Sequence, residues 1–249
     1  MAIKTILVSQ PKPEGDKSPY FDLADKYKLK IDFRPFIKVE GVDPKEFRNQ
    51  KVDISAHTAI ILTSKVAVDH FFRMAEAMRF EVPDTMKYFC ITEAVALYLQ
   101  KYVTYRKRKI FFGKQTIDEL AEVMKKQKGE KFLLPCTDIL RDNIPLTLEK
   151  YNIPFSKAVL YRTVAADLSD LEDVYYDMLV FFSPGGIESL FKNFPKFKQN
   201  TTTIAAFGPT TANAVLKNNL RLDVHAPHPK APSMVAAIEL YIKEQLKKK

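Results

Sequence analysis

Two pairs of strand-turn-helix segments recur along this chain, and the recurrence limits the fold more tightly than composition does. In TTTIAAFGPTTANAVLKNNL, residues 201–220, an apolar run at 203–207 meets Gly208, Pro209, Thr210 and Thr211 and continues with helical spacing through Leu216. KYFCITEAVALYLQKY follows the same plan, with a strand at 88–91, a helix at 93–102, and Thr92 where Gly208 stands. A second pair agrees: AIILTSKVAVDHFF from Ala59 and DMLVFFSPGGIESLF from Asp177 each run an apolar strand into a serine, Ser64 or Ser183, just before a helix. Equivalent positions lie roughly 120 residues apart in both pairs, so the chain reads as a duplicated α/β unit.

The rest of the chain continues the alternation. Strands are expected at 4–9, 59–63, 88–91, 110–112 and 131–134, each followed by a helix, the last of these over 137–151. Two long extended segments, 31–42 and 155–164, interrupt the rhythm; afterwards strands at 178–182, 203–207 and 223–226 alternate with helices again. Three strands make a thin sheet, so the opening strand and its helix at 18–28 are expected to join them. The predicted fold class is α/β, with two parallel-sheet, flavodoxin-like lobes joined by a two-stranded β-ladder, one lobe discontinuous. The expected boundaries are 1–34 with 165–249 for the discontinuous domain, 35–42 and 155–164 for the linker strands, and 43–154 for the continuous domain. Two linkers restrict motion to hinging and twisting and leave a cleft between the lobes.

With 46% hydrophobic residues the chain can bury two cores. No apolar run approaches the roughly 20 residues a membrane helix needs, and residues 3–9 read as a first strand rather than a signal-peptide core. The expectation is a cytoplasmic, monomeric protein with no membrane association. Cys90 and Cys136 fall within or at the end of apolar strand patterns and are expected to be buried, reduced thiols. The formal charge of +9 suits a polyanionic small molecule, even if a frayed Lys247, Lys248 and Lys249 contribute little. No nucleic-acid-binding motif accompanies that charge, so no nucleic-acid partner is expected. The densest basic run, Tyr105 to Lys109, reads as a solvated entry to the strand at 110–112.

Ligands of open parallel sheets bind beyond the carboxyl ends of the strands, where helix amino-termini present unpaired amides. Here those ends carry Ser9 and Gln10; Ser64 and Lys65; Thr92; Cys136 and Thr137; Ser183, Pro184 and Gly185; and Gly208, Thr210 and Thr211. Several such ends around one cleft could hold carboxylates or phosphates. Each hydroxyl could equally be a plain helix cap, and the two roles are compatible. No metal site is expected: His225 and His228 are separated and followed by Pro227 and Pro229, which break the helix their spacing would need. Walker, G-x-G-x-x-G and G-x-S-x-G patterns are absent, so no bound cofactor or serine nucleophile is expected. A catalyst of this kind acts by positioning and by stabilising charge.

Taken in order, ILVSQP, LTSKVAV, VLYRTV, FFSPGGIESLF, FGPTTANAV and HAPHPKAPSMVAAIE resemble the uroporphyrinogen-III synthase family over nearly the whole chain. The resemblance implies two α/β lobes with the tetrapyrrole in the cleft and no cofactor. It implies closure of hydroxymethylbilane, a linear tetrapyrrole with eight carboxylates, into uroporphyrinogen III with inversion of ring D and loss of water. It implies Tyr161 as hydrogen-bond donor to the departing water, against the alternative of a packed linker aromatic. Ser64, Ser183, Pro184, Gly185, Gly208, Thr210 and Thr211 would line the cleft. Two positions depart from the family pattern: Gln10-Pro11 stands where many members carry Arg-Pro, and Val95 stands opposite Thr211, where threonine is frequent. Lys12 or Lys65 would compensate. The competing expectations are a two-lobed binding protein for another anionic metabolite and a basic nucleic-acid module.

Overall fold

The computed structural model describes residues 3–139, 143–171 and 176–247. β1 (Thr5–Val8) leads to α1 (Pro19–Tyr27), which opens on the Ser18 hydroxyl accepting from Tyr20 N–H. β2 (Lys30–Phe33), β3 (Ile37–Gly41), α2 (Pro44–Asn49), β4 (Ala59–Leu62) and α3 (Lys65–Ala77) follow. Next come β5 (Lys87–Cys90), α4 (Glu93–Tyr98), β6 (Ile110–Phe112), α5 (Ile117–Lys125), β7 (Phe132–Thr137) and α6 (Asn143–Lys150). The chain ends with β8 (Phe155–Ala165), β9 (Met178–Phe181), α7 (Pro184–Asn193), β10 (Thr203–Phe207), α8 (Pro209–Lys217), β11 (Val224–Ala226) and α9 (Met234–Lys247).

The chain divides into two compact units, Met1–Lys38 with Val164–Lys249, and Val39–Thr163. In the first, the sheet order is β11-β10-β9-β1-β2, every pair parallel. Counted along that unit's own chain this is the flavodoxin order, two-one-three-four-five. The other sheet runs β3-β8-β7-β4-β5-β6. Reading the first sheet from β9 and wrapping round through β1 and β2 reproduces the order β4 to β8. The repeat is therefore circularly permuted: β9 matches β4, β10 matches β5, and β1 matches β7.

Each sheet is covered on both faces, so its strands are apolar throughout rather than alternating with polar residues. In the first unit Ile6, Val8, Met178 and Val180 face α1 and α9, while Leu7, Leu179, Phe181 and Ile204 face α7 and α8. In the second, Ile60, Leu62 and Tyr88 pack with Phe71 and Met74 of α3, and Ile61 and Phe89 pack with Leu120 of α5 and Leu148 of α6. Cys90 and Cys136 are free and buried, and burial pushes their thiols up to about 12 and about 11. They are core residues with no thiolate character at neutral pH. Among the described residues, no helix is long and apolar enough to cross a membrane.

Three sequence expectations need correction. Residues 31–42 are not one extended connection: β2 ends at Phe33 and forms the edge of the first sheet, paired along β1 from Thr5↔Lys30 to Val8↔Phe33. Arg34 and Pro35 break the strand, since proline has no N–H for the ladder and restricts the residue before it. Of this segment, β3 alone neighbours β8. Likewise Thr137 does not open a helix. It is the last residue of β7, extended by pairing with β8 as far as Thr137↔Tyr161. Pro135 is tolerated there because β7 pairs with β4 only at Phe132 and Leu133. The helix expected over 137–151 is present from Asn143, and residues 140–142 lie outside the described residues. The helix expected over 93–102 ends at Tyr98 and tightens into a single 3-10 turn, Leu99–Lys101.

Candidate functional site

The topology picks out one crevice per unit, where helices leave two adjacent strands toward opposite sheet faces. In the first unit that point lies between β1 and β9. Ser9 and exposed Gln10 end β1, while Ser183, Pro184 and Gly185 end β9. The two turns nearly touch: a methyl on Gly186 would sit 3.7 Å from Ser9 Oγ and 3.2 Å from Phe181 Cδ1. Ser183 Oγ accepts from Gly186 N–H at 3.3 Å, so the serine caps α7 and holds the glycine amides in the turn. One strand over, α8 starts without a side-chain cap. Gly208 takes φ +81 and ψ 155, Pro209 occupies the first turn, and no side chain caps the amides behind it. Thr210 is exposed, whereas Thr211 is buried, at 1%.

In the second unit the crevice lies between β4 and β7. Ser64 Oγ accepts from Ala67 N–H at 3.0 Å and Thr92 Oγ1 from Val95 N–H at 3.3 Å, capping α3 and α4. Tyr161 of β8 lies in register with Thr137, whose hydroxyl donates to Asp138 Oδ1 at 2.8 Å. Burial pushes the Tyr161 phenol up, and the nearby Ser64 hydroxyl offsets this only in part. Tyr161 is therefore a protonated donor across the neutral range. Ser64, Tyr161 and Thr137 come together at this crevice, with Lys65 at the first turn of α3.

The structure adds groups that no local sequence pattern announces. Lys65 Nζ lies 5.3 Å from the centroid of the Tyr98 ring, which steadies an otherwise exposed ammonium beside the α3 amides. Tyr98 donates to both Asp69 oxygens at 2.9 Å, Tyr102 donates at 2.6 Å and Lys101 at 3.2 Å. Burial works against the Asp69 carboxylate, but these donors overcome it and hold its pKa below the ordinary value. His70, one residue on, stacks on the Tyr161 ring with centroids 5.1 Å apart and planes at 22°. Its two halves are far apart in sequence, so only the packing of α3 against β8 reveals the pair.

Two concavities among the described residues lie away from these turns. One, about 620 Å³, opens at the amino-terminal ends of β5 and β6 among Tyr88, Arg106 and Lys109. The other, about 660 Å³, lies beside α7 among Leu179, Phe194 and Phe197. The strand-to-helix turns present hydroxyls and helix amino-termini, groups that suit acidic parts of a ligand. Among the described residues, no three His, Cys, Asp or Glu side chains are grouped to hold a metal ion.

The family described as uroporphyrinogen-III synthase HemD matches residues 22–236, a span that includes every helix amino-terminus described above except that of α1. The chain belongs to the uroporphyrinogen-III synthase family. A uroporphyrinogen-III synthase from Saccharomyces cerevisiae is 29% identical over 139 residues, an alignment covering 50% of this chain and 50% of the yeast protein. Of solved structures, the uroporphyrinogen-III synthetase of Helicobacter pylori aligns with a TM-score of 0.58 at 18% identity, over 97% of this chain and 100% of that one. A mutant uroporphyrinogen III synthase from Thermus thermophilus aligns with a TM-score of 0.48 at 15% identity, over 99% and 100%. The Helicobacter likeness supports the fold of a uroporphyrinogen-III synthase, two lobes of parallel α/β, for this chain.

Proposed function

We propose that this chain is a uroporphyrinogen-III synthase, a cyclising carbon-oxygen lyase of tetrapyrrole and heme synthesis. Its substrate would be hydroxymethylbilane, closed to uroporphyrinogen III with inversion of ring D. The observation that carries the reading is the family match over residues 22–236. The amide-rich turns at Ser64, Thr92, Ser183 and Gly208 suit it, because the substrate's carboxylates are the anions such turns favour. Closure breaks the carbon-oxygen bond of the terminal hydroxymethyl group and forms a carbon-carbon bond to the substituted carbon of ring D. Inversion then breaks that carbon's bond to the bridge from ring C and re-forms it at the free ring D carbon, with loss of a ring proton. The net change is one carbon-carbon bond gained and one water released. No electrons enter or leave, so the chemistry needs proton transfers and positioning rather than a redox cofactor.

In this reading the turns fix the curl of the tetrapyrrole and so select attack at the substituted carbon of ring D. Tyr161 donates a hydrogen bond to the departing oxygen. The charge of +9 draws the polyanion in, and Lys65, held over Tyr98, supplies a cation beside the amides of α3. The protein acts as a cytoplasmic monomer without nucleic-acid or membrane partners. The test supplies hydroxymethylbilane from a coupled deaminase and separates the oxidised products by isomer. Type III should accumulate in large molar excess over protein; type I alone, the product of spontaneous closure, would mark a binding protein without chemistry.

A further inference from the structure

Arg73 Nε donates to His70 Nδ1 at 3.1 Å. A guanidinium has no acceptor to offer, so Nδ1 must present its lone pair and the neutral ring keeps its proton on Nε2. The guanidinium is itself fixed: Nη2 donates to the carbonyls of Val42 and Leu160, each at 3.0 Å. It fits there because residue 41 is glycine. A methyl at Gly41 would lie 2.5 Å from Arg73 Cζ and 2.7 Å from Nε and Nη2. The imidazole so oriented lies against Tyr161.

Among the described residues, the groups acting on His70 are Arg73 and Asp69 from α3 and the Tyr161 ring from β8, and the segment after β3 supplies the Val42 carbonyl that anchors Arg73. Burial and then Arg73 lower the imidazole pKa, and Asp69, engaged by Tyr98, Tyr102 and Lys101, opposes them. Protonating Nδ1 would strip Arg73 of its acceptor and set two cations 3.1 Å apart. Acid should therefore expel the ring from the stack.

We propose that His70 is the positioning residue for Tyr161, its neutral ring held against the phenol by Arg73 through the space that Gly41 leaves. The consequence for rate rests on the synthase reading; the ring geometry does not. In Gly41→Ala the crowded atoms are the far end of a flexible side chain, so Arg73 should swing away while the strand stays folded.

The experiment follows the full-length chain by histidine-ring 15N–1H spectra and by synthase rate across pH, in the wild type, Gly41→Ala, His70→Phe and His70→Ala. The wild-type ring should be the Nε2–H form and titrate below its ordinary 6.5. In Gly41→Ala the titration should move up toward that value, with a lower kcat. His70→Phe, which keeps a flat ring, should retain most of the rate and lose the acid-side fall. His70→Ala should lose several-fold in kcat with KM nearly unchanged. A wild-type ring in the Nδ1–H form, or a Gly41→Ala titration equal to the wild type's, overturns the Arg73 lock. A His70→Ala kcat equal to the wild type's overturns the positioning role. If even the wild type makes no type III isomer, the synthase reading fails separately. The ring spectra then still decide the lock, and the Tyr161 ring signals in His70→Ala decide the positioning.

Discussion

Tyr161→Phe is expected to slow formation of the type III isomer by about ten-fold or more without unfolding the protein. Phenylalanine keeps the ring that stacks on His70 at 5.1 Å and removes only the hydroxyl. That hydroxyl is half-buried on β8, and its raised pKa keeps it a donor throughout the neutral range. Loss of a positioned proton donor costs general acid catalysis about 10²–10⁴-fold where water cannot replace it. Tyr161 is only partly buried, so the low end or below is expected. A stopped assay of isomer III, read beside a thermal melt, separates chemistry from folding. A rate equal to the wild type's would leave Tyr161 a packed aromatic and positioning as the whole of catalysis.

Gly208→Ala should lower the melting temperature and weaken binding of the tetrapyrrole product together. At φ +81 and ψ 155 the backbone occupies a region that side-chain-bearing residues rarely enter. Apart from its chain neighbours nothing lies within 4 Å of the added methyl, so there is no packing clash to relieve and the cost is conformational. Strain of this kind amounts to about 1–3 kcal/mol. In a chain of this size that is a drop of roughly 2–12 °C. The chain could escape the strain only by re-forming the turn, which would shift the uncapped amides of α8 behind Pro209. Either response degrades the site. An unchanged melt with unchanged affinity would show that the turn contributes nothing to binding.

What could be read from the residues follows what is local. Ser18, Ser64, Thr92 and Ser183 cap the helices expected of them because capping involves a side chain and an amide two or three residues on. The strands of the repeat were legible because burial on both sheet faces makes them continuously apolar. The fate of 31–42 was not: Ile31 and Phe33 look the same whether they join a linker or the edge of a sheet, and only pairing with β1 decides. Thr137 reads as a helix start for a similar reason, since its extended conformation depends on Tyr161 in the neighbouring strand. In the candidate site, the hydroxyl-bearing turns could be named from sequence. The layer behind them could not, because Gly41, Arg73, His70 and Tyr161 meet only through tertiary packing.

If main-chain donors at the strand-to-helix turns hold the substrate's carboxylates, the amide spectrum of the labelled protein should report it directly. On adding uroporphyrinogen III under reducing conditions, the largest shifts should fall on the amides of residues 65–67, 93–95, 185–187 and 210–212. Shifts confined instead to Tyr88, Arg106 and Lys109, around the cavity at the opposite ends of β5 and β6, would contradict the placement of the site and the mechanism built on it.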